Sequence, residues 1–229
     1  SAVVEGIAAD GHQITVSERS RARSAELAAR FENVTVADNQ RVVDASEVIF
    51  LGLMAEQAPG ILGALAFRPD QQVITLMAGA TLEEVSGMVA PARAAAIMMP
   101  FPGIAQGGSP IMAQGGTALI EAIFGNRNSV FAVRDAAEMD AYLCAQAVLS
   151  PAVKLVGDAA DWLGGRVSDP EQAEAFLRVL TGSSLLAGPC APMLEALNTP
   201  GGYNQRLRQH MEEAGTEAAL KAGLDRLEQ

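Results

Sequence analysis

The chain has 229 residues, of which 49% are hydrophobic and 4% aromatic, so it can build a sizeable core as one large domain or two small ones. Its net charge of -11 argues against a nucleic-acid partner, because phosphate contacts require clustered Lys and Arg. With two histidines and two cysteines that lack metal-ligand spacing, neither a metal site nor a serine–histidine triad is expected. No run is predicted to be long and apolar enough to span a membrane, and no signal peptide is evident, so we expect a cytoplasmic protein.

Strand and helix patterns alternate along the first part of the chain. A helix is predicted at residues 1–10, and strands are predicted at 14–16, 34–36, 48–53, 73–77, 94–99, 111–113 and 130–133. Up to the strand at 94–99, this alternation predicts a parallel sheet with helices on both faces. Such a domain ordinarily opens with a strand and a glycine-rich turn. We therefore expect the given sequence to begin inside a first helix, with the first strand and the glycine loop missing.

From Asp135 onward the pattern is helical only, with predicted helices at 136–149, 151–164, 170–187, 190–197, 203–214 and 216–228. The sequence thus predicts an α/β Rossmann-like domain at 1–135 that binds NAD(P), followed by an all-α helical dimerisation domain at 136–229. The helical part is apolar, but it has few aromatic residues and little core of its own. We therefore expect a homodimer formed through the C-terminal helices.

The carboxyl ends of the predicted strands form the candidate cofactor site, since ligands bind at that edge of a parallel sheet. After the strand at 14–16, Glu18 favours the free ribose hydroxyl of NAD, whereas Ser17, Arg19, Arg21 and Arg23 favour the 2′-phosphate of NADP. Because positive charges outnumber the carboxylate, we predict NADP, with NAD possible. The alternative is a solvated first helical turn. The predicted cofactor-binding residues are Ser17, Arg19, Arg21, Asn39, Leu53, Met54, Ala78, Gly79 and Pro100.

The stretch from Asn198 to Tyr203 lies between two predicted helices. Pro200 cannot continue a helix, and Gly201 and Gly202 allow positive φ or close backbone approach. We interpret the stretch as a shaped corner whose Thr199, Gly201, Gly202 and Tyr203 bind substrate. A plain helix–helix connection is the alternative.

Several stretches together resemble the pyrroline-5-carboxylate reductase family. They are residues 14–19, 36–39 and 50–59, Met99-Pro100 followed by Pro102, and 198–202 together with Glu-Glu-Ala-Gly at 212–215. The resemblance implies an NADPH-dependent imine reductase of proline biosynthesis whose helical half interlocks with a second subunit. The family's Ser-Gly-Ser-Gly-Pro-Ala motif, which holds the substrate carboxylate, is replaced by residues 146–152, and its Lys-Pro is Met54-Ala55. We therefore expect a divergent member that transfers hydride to a small imine or carbonyl acid.

Two alternatives remain open. Lys154 and Asp158 resemble the Lys-x-x-x-Asn of β-hydroxyacid dehydrogenases, in which the lysine is the catalytic acid and base. Partial burial near an interdomain cleft would then lower the pKa of Lys154. An exposed pair that supports the helix would explain the same spacing. The other alternative is a non-catalytic protein that binds nucleotide.

Overall fold

Seven strands form the frame of the first of two units in the computed structural model, which describes residues 1–228 and divides after Met139. The strands are β1 (Ile14–Ser17), β2 (Val34–Ala37), β3 (Val48–Leu51), β4 (Gln72–Thr75), β5 (Arg93–Pro100), β6 (Pro110–Gly115) and β7 (Ser129–Ala132). The helices of this unit are α1 (Ala2–Ile7), α2 (Arg21–Arg30), α3 (Asn39–Ala45), α4 (Ala58–Leu62), α5 (Leu82–Val89) and α6 (Thr117–Phe124).

The strands belong to two sheets. β1 pairs with β2 in parallel, and a separate five-stranded sheet has the order β3-β4-β5-β6-β7. Its neighbours are parallel except β5 and β6, which are antiparallel. The segment between these two strands contains a 3-10 turn at Pro102–Ala105 but no α-helix, and a parallel crossover needs a longer connection. The predicted parallel sheet is therefore confirmed for β3 to β5, and its direction reverses at β6.

Hydrophobic side chains cover both faces of the five-stranded sheet. Val73 on β4 belongs to one cluster and its neighbour Ile74 belongs to the other, because successive side chains of a strand point to opposite faces. The first cluster includes Val43, Ile49, Leu51, Leu62, Val73, Val85 and Val89. The second includes Ile7, Ile74, Met98, Ile104, Ile111, Ile120 and Phe124. Burial on both faces explains why these strands are almost continuously apolar.

Local side-chain bonds define where two helices begin. The Asp38 carboxylate accepts a hydrogen bond of 2.9 Å from the backbone N–H of Arg41 at the start of α3. At α5, Thr81 and Glu84 form a reciprocal capping box. Asp38 and Thr81 are thus the N-cap residues of α3 and α5, and Asn39 is the first helical residue of α3.

The rest of the chain is helical. Its helices are α7 (Ala136–Ala145), α8 (Leu149–Gly164), α9 (Pro170–Ala187), α10 (Cys190–Ala196), α11 (Tyr203–Glu213) and α12 (Thr216–Leu227). Within the described part of the second unit, Ala160 and Ala173 are the buried hydrophobic residues. Large apolar side chains are instead exposed, as in Leu186 at 89% and Trp162 at 63%. The second unit therefore has little core of its own, as the sequence predicted.

One expectation about this region is wrong. The boundary predicted between two helices near residue 150 lies a few residues earlier, at the 3-10 turn Gln146–Val148, and Pro151 lies in the first turn of α8, where its missing N–H costs no internal helical hydrogen bond. With the 3-10 turn at Gln146–Val148, residues 136–164 form a 29-residue helical run that is long and apolar enough to cross a membrane. The prediction that no run has this length and composition is thus incorrect. By themselves, length and composition do not distinguish a membrane span from a helix that packs against protein.

Candidate functional site

A cavity of about 140 Å³ is lined by residues at the carboxyl ends of β1 and β3. Its polar lining residues are Ser17, which is the last residue of β1, Arg19 and Asn39. Leu53, which follows β3, also lines the cavity. The apolar part of the wall comes from β3, α3 and α4 and comprises Val42, Val43, Ile49, Phe50, Leu51, Ile61, Leu62 and Leu65. The cavity therefore combines an apolar surface with a guanidinium, a hydroxyl and an amide.

Arg19 is hydrogen-bonded to a residue that lies outside the cavity wall and that the sequence interpretation did not single out. It lies in the 3-10 turn Glu18–Ser20 that follows β1. Its Nη2 donates a hydrogen bond of 2.8 Å to Oε1 of Gln57, the last residue of the 3-10 turn Ala55–Gln57 that follows β3. Gln57 could have been suspected because a polar side chain soon after a buried strand lies at the ligand-binding edge of the sheet.

The other arginines of the predicted NADP site are placed differently. Arg23 forms an exposed ion pair of 2.9 Å with Glu26, and it does not line the cavity. Arg21 is the first residue of α2 and also lies outside the cavity wall, as does Glu18. The ligand role of Arg21 stays a prediction, and Arg19 is the cationic side chain of the cavity.

A second cavity, of about 380 Å³, contains another of the predicted residues. Gly79 lines it, and its φ of +76° is a conformation that favours glycine. The remaining wall consists of Ala55, Pro59, Met77, Ala80, Glu84 and Met88. Met54, Ala78 and Pro100 line neither of the two cavities, so their predicted contacts with the cofactor stay predictions.

β1 and β3 each have one edge without a hydrogen-bonded strand within residues 1–228. The 140 Å³ cavity is lined by residues at the ends of both strands. The predicted first strand and glycine loop are not part of the described chain, and their place in the fold stays a prediction.

Lys154 does not have the environment that a catalytic lysine was expected to have. Its Nζ donates to both carboxylate oxygens of Asp158, at 2.7 and 2.9 Å, and its side chain is 74% exposed. The hydrogen bond to Asp158 raises the pKa of Lys154 above its ordinary value. The expectation of partial burial and a lowered pKa is therefore wrong for this chain. The geometry is that of an i,i+4 pair on an exposed helix face.

The stretch from Asn198 to Tyr203 forms a closed turn at the start of α11. The N–H of Gly202 donates to the carbonyl of Thr199 at 2.9 Å, and Gly201 has a φ of +73°. Oε1 of Gln205 accepts from the N–H of Gly201 at 2.8 Å, while its Nε2 donates to Asn198 at 3.1 Å. Tyr203 is 90% exposed. The corner has a defined shape, and the substrate-binding role of Thr199, Gly201, Gly202 and Tyr203 stays a prediction.

Metal-ligating side chains do not cluster in the part of the chain that the structure describes. Among residues 1–228, no group of three or more His, Cys, Asp or Glu side chains is arranged to hold a metal ion. Cys144 and Cys190 are free thiols, and Cys190 is exposed.

Residues 1–79, which contain the cavity wall, match the family model described as NADP oxidoreductase coenzyme F420-dependent. No curated protein sequence matches the chain.

Solved structures resemble the chain over nearly its whole length. A pyrroline-5-carboxylate reductase from Coxiella burnetii superposes with a TM-score of 0.81 at 16% identity, covering 99% of this chain and 91% of that one. The pyrroline carboxylate reductase of Plasmodium falciparum with NADP bound gives a TM-score of 0.76 at 12% identity, covering 99% and 90%. An imine reductase from Pseudomonas sp. gives 0.60 at 17% identity, covering 99% and 83%. At such identities the similarity shows the fold, which is a Rossmann-like α/β domain followed by a helical region.

Proposed function

We propose that the protein is an NADP-dependent oxidoreductase of the pyrroline-5-carboxylate reductase and imine reductase type. The observation that carries this proposal is the arrangement of Ser17, Arg19 and Asn39 around one cavity beyond the carboxyl end of β1. That edge is where dinucleotide-binding folds recognise the adenosine ribose. The family model that matches residues 1–79 describes NADP oxidoreductases, and the similar protein from Plasmodium falciparum was solved with NADP bound.

The side chains around the cavity fit the 2′-phosphate end of NADP. A guanidinium presents N–H donors in a planar fork that matches two phosphate oxygens. We assign Arg19 to the phosphate, with the Ser17 hydroxyl as a further donor and the Asn39 amide as the partner of a ribose hydroxyl. Because the protein has a net charge of -11, an unneutralised arginine is needed to attract this anion locally.

When bound, the nicotinamide supplies the hydride, and the proposed acceptor is a small imine or carbonyl acid. Pyrroline-5-carboxylate itself is not part of the proposal. The stretch 146–152 contains one hydroxyl residue, Ser150, and no glycine, so it lacks the donors with which the resembled family holds the substrate carboxylate. For the same reason, we do not propose that the protein acts in proline biosynthesis. Lys154 is not assigned as the proton donor, because it is exposed and paired with Asp158.

NADPH is expected to raise the melting temperature of the protein by roughly 5–10 °C when present at about 100 times its Kd. Cyclic imines, and keto acids offered with amines, are then expected to consume NADPH, followed through its absorbance. If neither NADPH nor NADH shifts the melting temperature, the proposed function is wrong. If NADPH binds but none of these substrates is reduced, the non-catalytic nucleotide-binding alternative is favoured.

We further propose that the helical region forms a homodimer. Its exposed apolar side chains include Val153, Leu155, Trp162, Phe176, Val179, Leu180, Leu185, Leu186 and Leu207. A soluble monomer rarely exposes so many large apolar groups, and a second copy would bury them. The apolar surface of residues 136–164 then faces protein, in line with the predicted cytoplasmic location.

Leu186→Glu is expected to weaken this dimer at least about tenfold, because a carboxylate would be desolvated in an apolar interface. Light scattering after size exclusion measures the effect, with a wild-type mass of twice the 23.8 kDa of one chain. The matched control is Gln172→Glu, which places the same charge on the exposed polar start of the same helix. A wild-type monomer would contradict the proposal, and a requirement for detergent would favour a membrane span instead.

A further inference from the structure

The hydrogen bond between Arg19 and Gln57 joins two segments that no backbone pairing connects. Arg19 follows β1 of the two-stranded sheet, whereas Gln57 follows β3 of the five-stranded sheet. The two residues are 38 positions apart in the chain, and their side chains meet at 2.8 Å. The contact therefore depends on how the two sheets are placed beside each other.

We propose that Gln57 is a positioning residue that holds the Arg19 guanidinium ready for the 2′-phosphate, and that it thereby sets the preference for NADPH over NADH. This inference rests on the proposed function and adds a second residue to the same site.

Gln57 is a firm anchor although its side chain is exposed. Its backbone N–H donates to the carbonyl of Met54 at 3.0 Å, and the N–H of Ala58 donates to the same carbonyl at 3.1 Å. Ala58 is fully buried in the core below β3, and Pro59 restricts the backbone of the next position. The amide that reaches Arg19 thus starts from a fixed backbone.

The hydrogen bond to Gln57 leaves most N–H groups of the Arg19 guanidinium available for a ligand. Nη2 donates to Gln57, and within residues 1–228 Arg19 forms no ion pair. Its remaining N–H groups can therefore meet two phosphate oxygens, as a guanidinium does in bidentate contacts.

The neutral charge of the Gln57 side chain matters for phosphate binding as much as its position does. Gln57 is a neutral acceptor, so it orients Arg19 without cancelling its charge. Arg23 shows the opposite arrangement, since its partner Glu26 is a carboxylate at 2.9 Å. A glutamate at position 57 would likewise pair with Arg19, and it would also repel the incoming phosphate.

NADH carries a hydroxyl where NADPH carries the 2′-phosphate. If Gln57 serves only to hold Arg19, its loss weakens the binding of NADPH, which needs the guanidinium, and leaves the binding of NADH unchanged. If Gln57 instead covers the cavity, its loss changes the binding of both nucleotides equally. The ratio of the two dissociation constants therefore separates positioning from simple coverage.

Gln57→Met keeps the length of the side chain and removes the acceptor. Calorimetry is expected to show NADPH binding weakened roughly 3- to 10-fold and NADH binding unchanged. Gln57→Glu is expected to weaken NADPH binding further while sparing NADH. Because Gln57 is exposed, the melting temperature of the nucleotide-free variants should match that of the wild type.

A double-mutant cycle with Arg19→Ala completes the test. In the Arg19→Ala protein, Gln57→Met is expected to have no further effect on NADPH binding, because the residue it positions is absent. An unchanged ratio in Gln57→Met, or an equal loss in the Arg19→Ala protein, overturns the inference but leaves the proposed function standing. If the wild type binds neither nucleotide, both are wrong.

Discussion

Arg19→Ala is expected to weaken NADPH binding by about 10- to 100-fold and to leave NADH binding nearly unchanged. Arg19 is the cationic side chain in the wall of the 140 Å³ cavity, and its neutral partner Gln57 preserves its charge. Hydrogen bonds to charged groups contribute about 1.5–3 kcal/mol, and each 1.4 kcal/mol corresponds to a factor of ten in Kd. Titration calorimetry with each nucleotide measures the two constants directly.

Arg23→Ala is the matched control for this variant. It removes the same side chain a few residues later, from a position outside the cavity wall where Glu26 already neutralises the charge. We expect it to change NADPH binding less than twofold. The wild-type preference for NADPH should also decrease at high salt, because exposed charges are screened. Equal weakening of NADPH and NADH in Arg19→Ala would mean that Arg19 does not recognise the phosphate.

Gly6→Ala is expected to destabilise the first unit by about 1–3 kcal/mol. Helix α1 approaches the 3-10 turn at Pro102–Ala105 so closely that a Cβ on Gly6 would lie 2.8 Å from the carbonyl oxygen of Ile104. Ile104 is fully buried, and a backbone oxygen cannot turn away as a side chain can. The helix must therefore move off the turn, which loosens the core around Ile7.

Gly87→Ala tests the same chemical change without the close contact. Gly87 lies within α5, and nothing is within 4 Å of the Cβ that it would gain. This substitution is expected to be neutral or to stabilise by up to about 1 kcal/mol, since alanine favours the helix. Urea unfolding of both variants gives the comparison. Equal stability of the two would show that the contact at Gly6 relaxes without cost.

Several features of the fold were predictable because they depend on neighbouring residues. The strand predicted at 48–53 is observed at Val48–Leu51, because a continuous apolar run is typical of a strand buried on both faces. The reversal at β6 was not predicted, because strand direction depends on how the short segment 101–109 connects β5 to β6. The helix boundary near residue 150 was placed a few residues too late, because the sequence alone did not show that Pro151 lies inside the first turn of α8.

The candidate site shows the same division more sharply. The presence of a cationic side chain at the site could be predicted from the sequence, since arginines after β1 are the expected partners of a 2′-phosphate. Which of the three arginines lines the cavity could not be predicted, because Arg19, Arg21 and Arg23 all follow the first predicted strand within a few residues. The two interpretations of Lys154 stayed open for a related reason, as its exposure and its pairing with Asp158 are properties of the folded helix surface.

The sequence by itself determined the alternation of strands and helices and which polar and cationic residues follow each strand, because both depend only on the local order of residue types. Only the tertiary structure decided which side chains meet at that edge. Arg19 and Gln57 lie 38 residues apart on different sheets, and their contact depends on the placement of one sheet against the other. The corner at Asn198 to Tyr203 is likewise closed by Gln205, a partner that the turn residues alone do not specify.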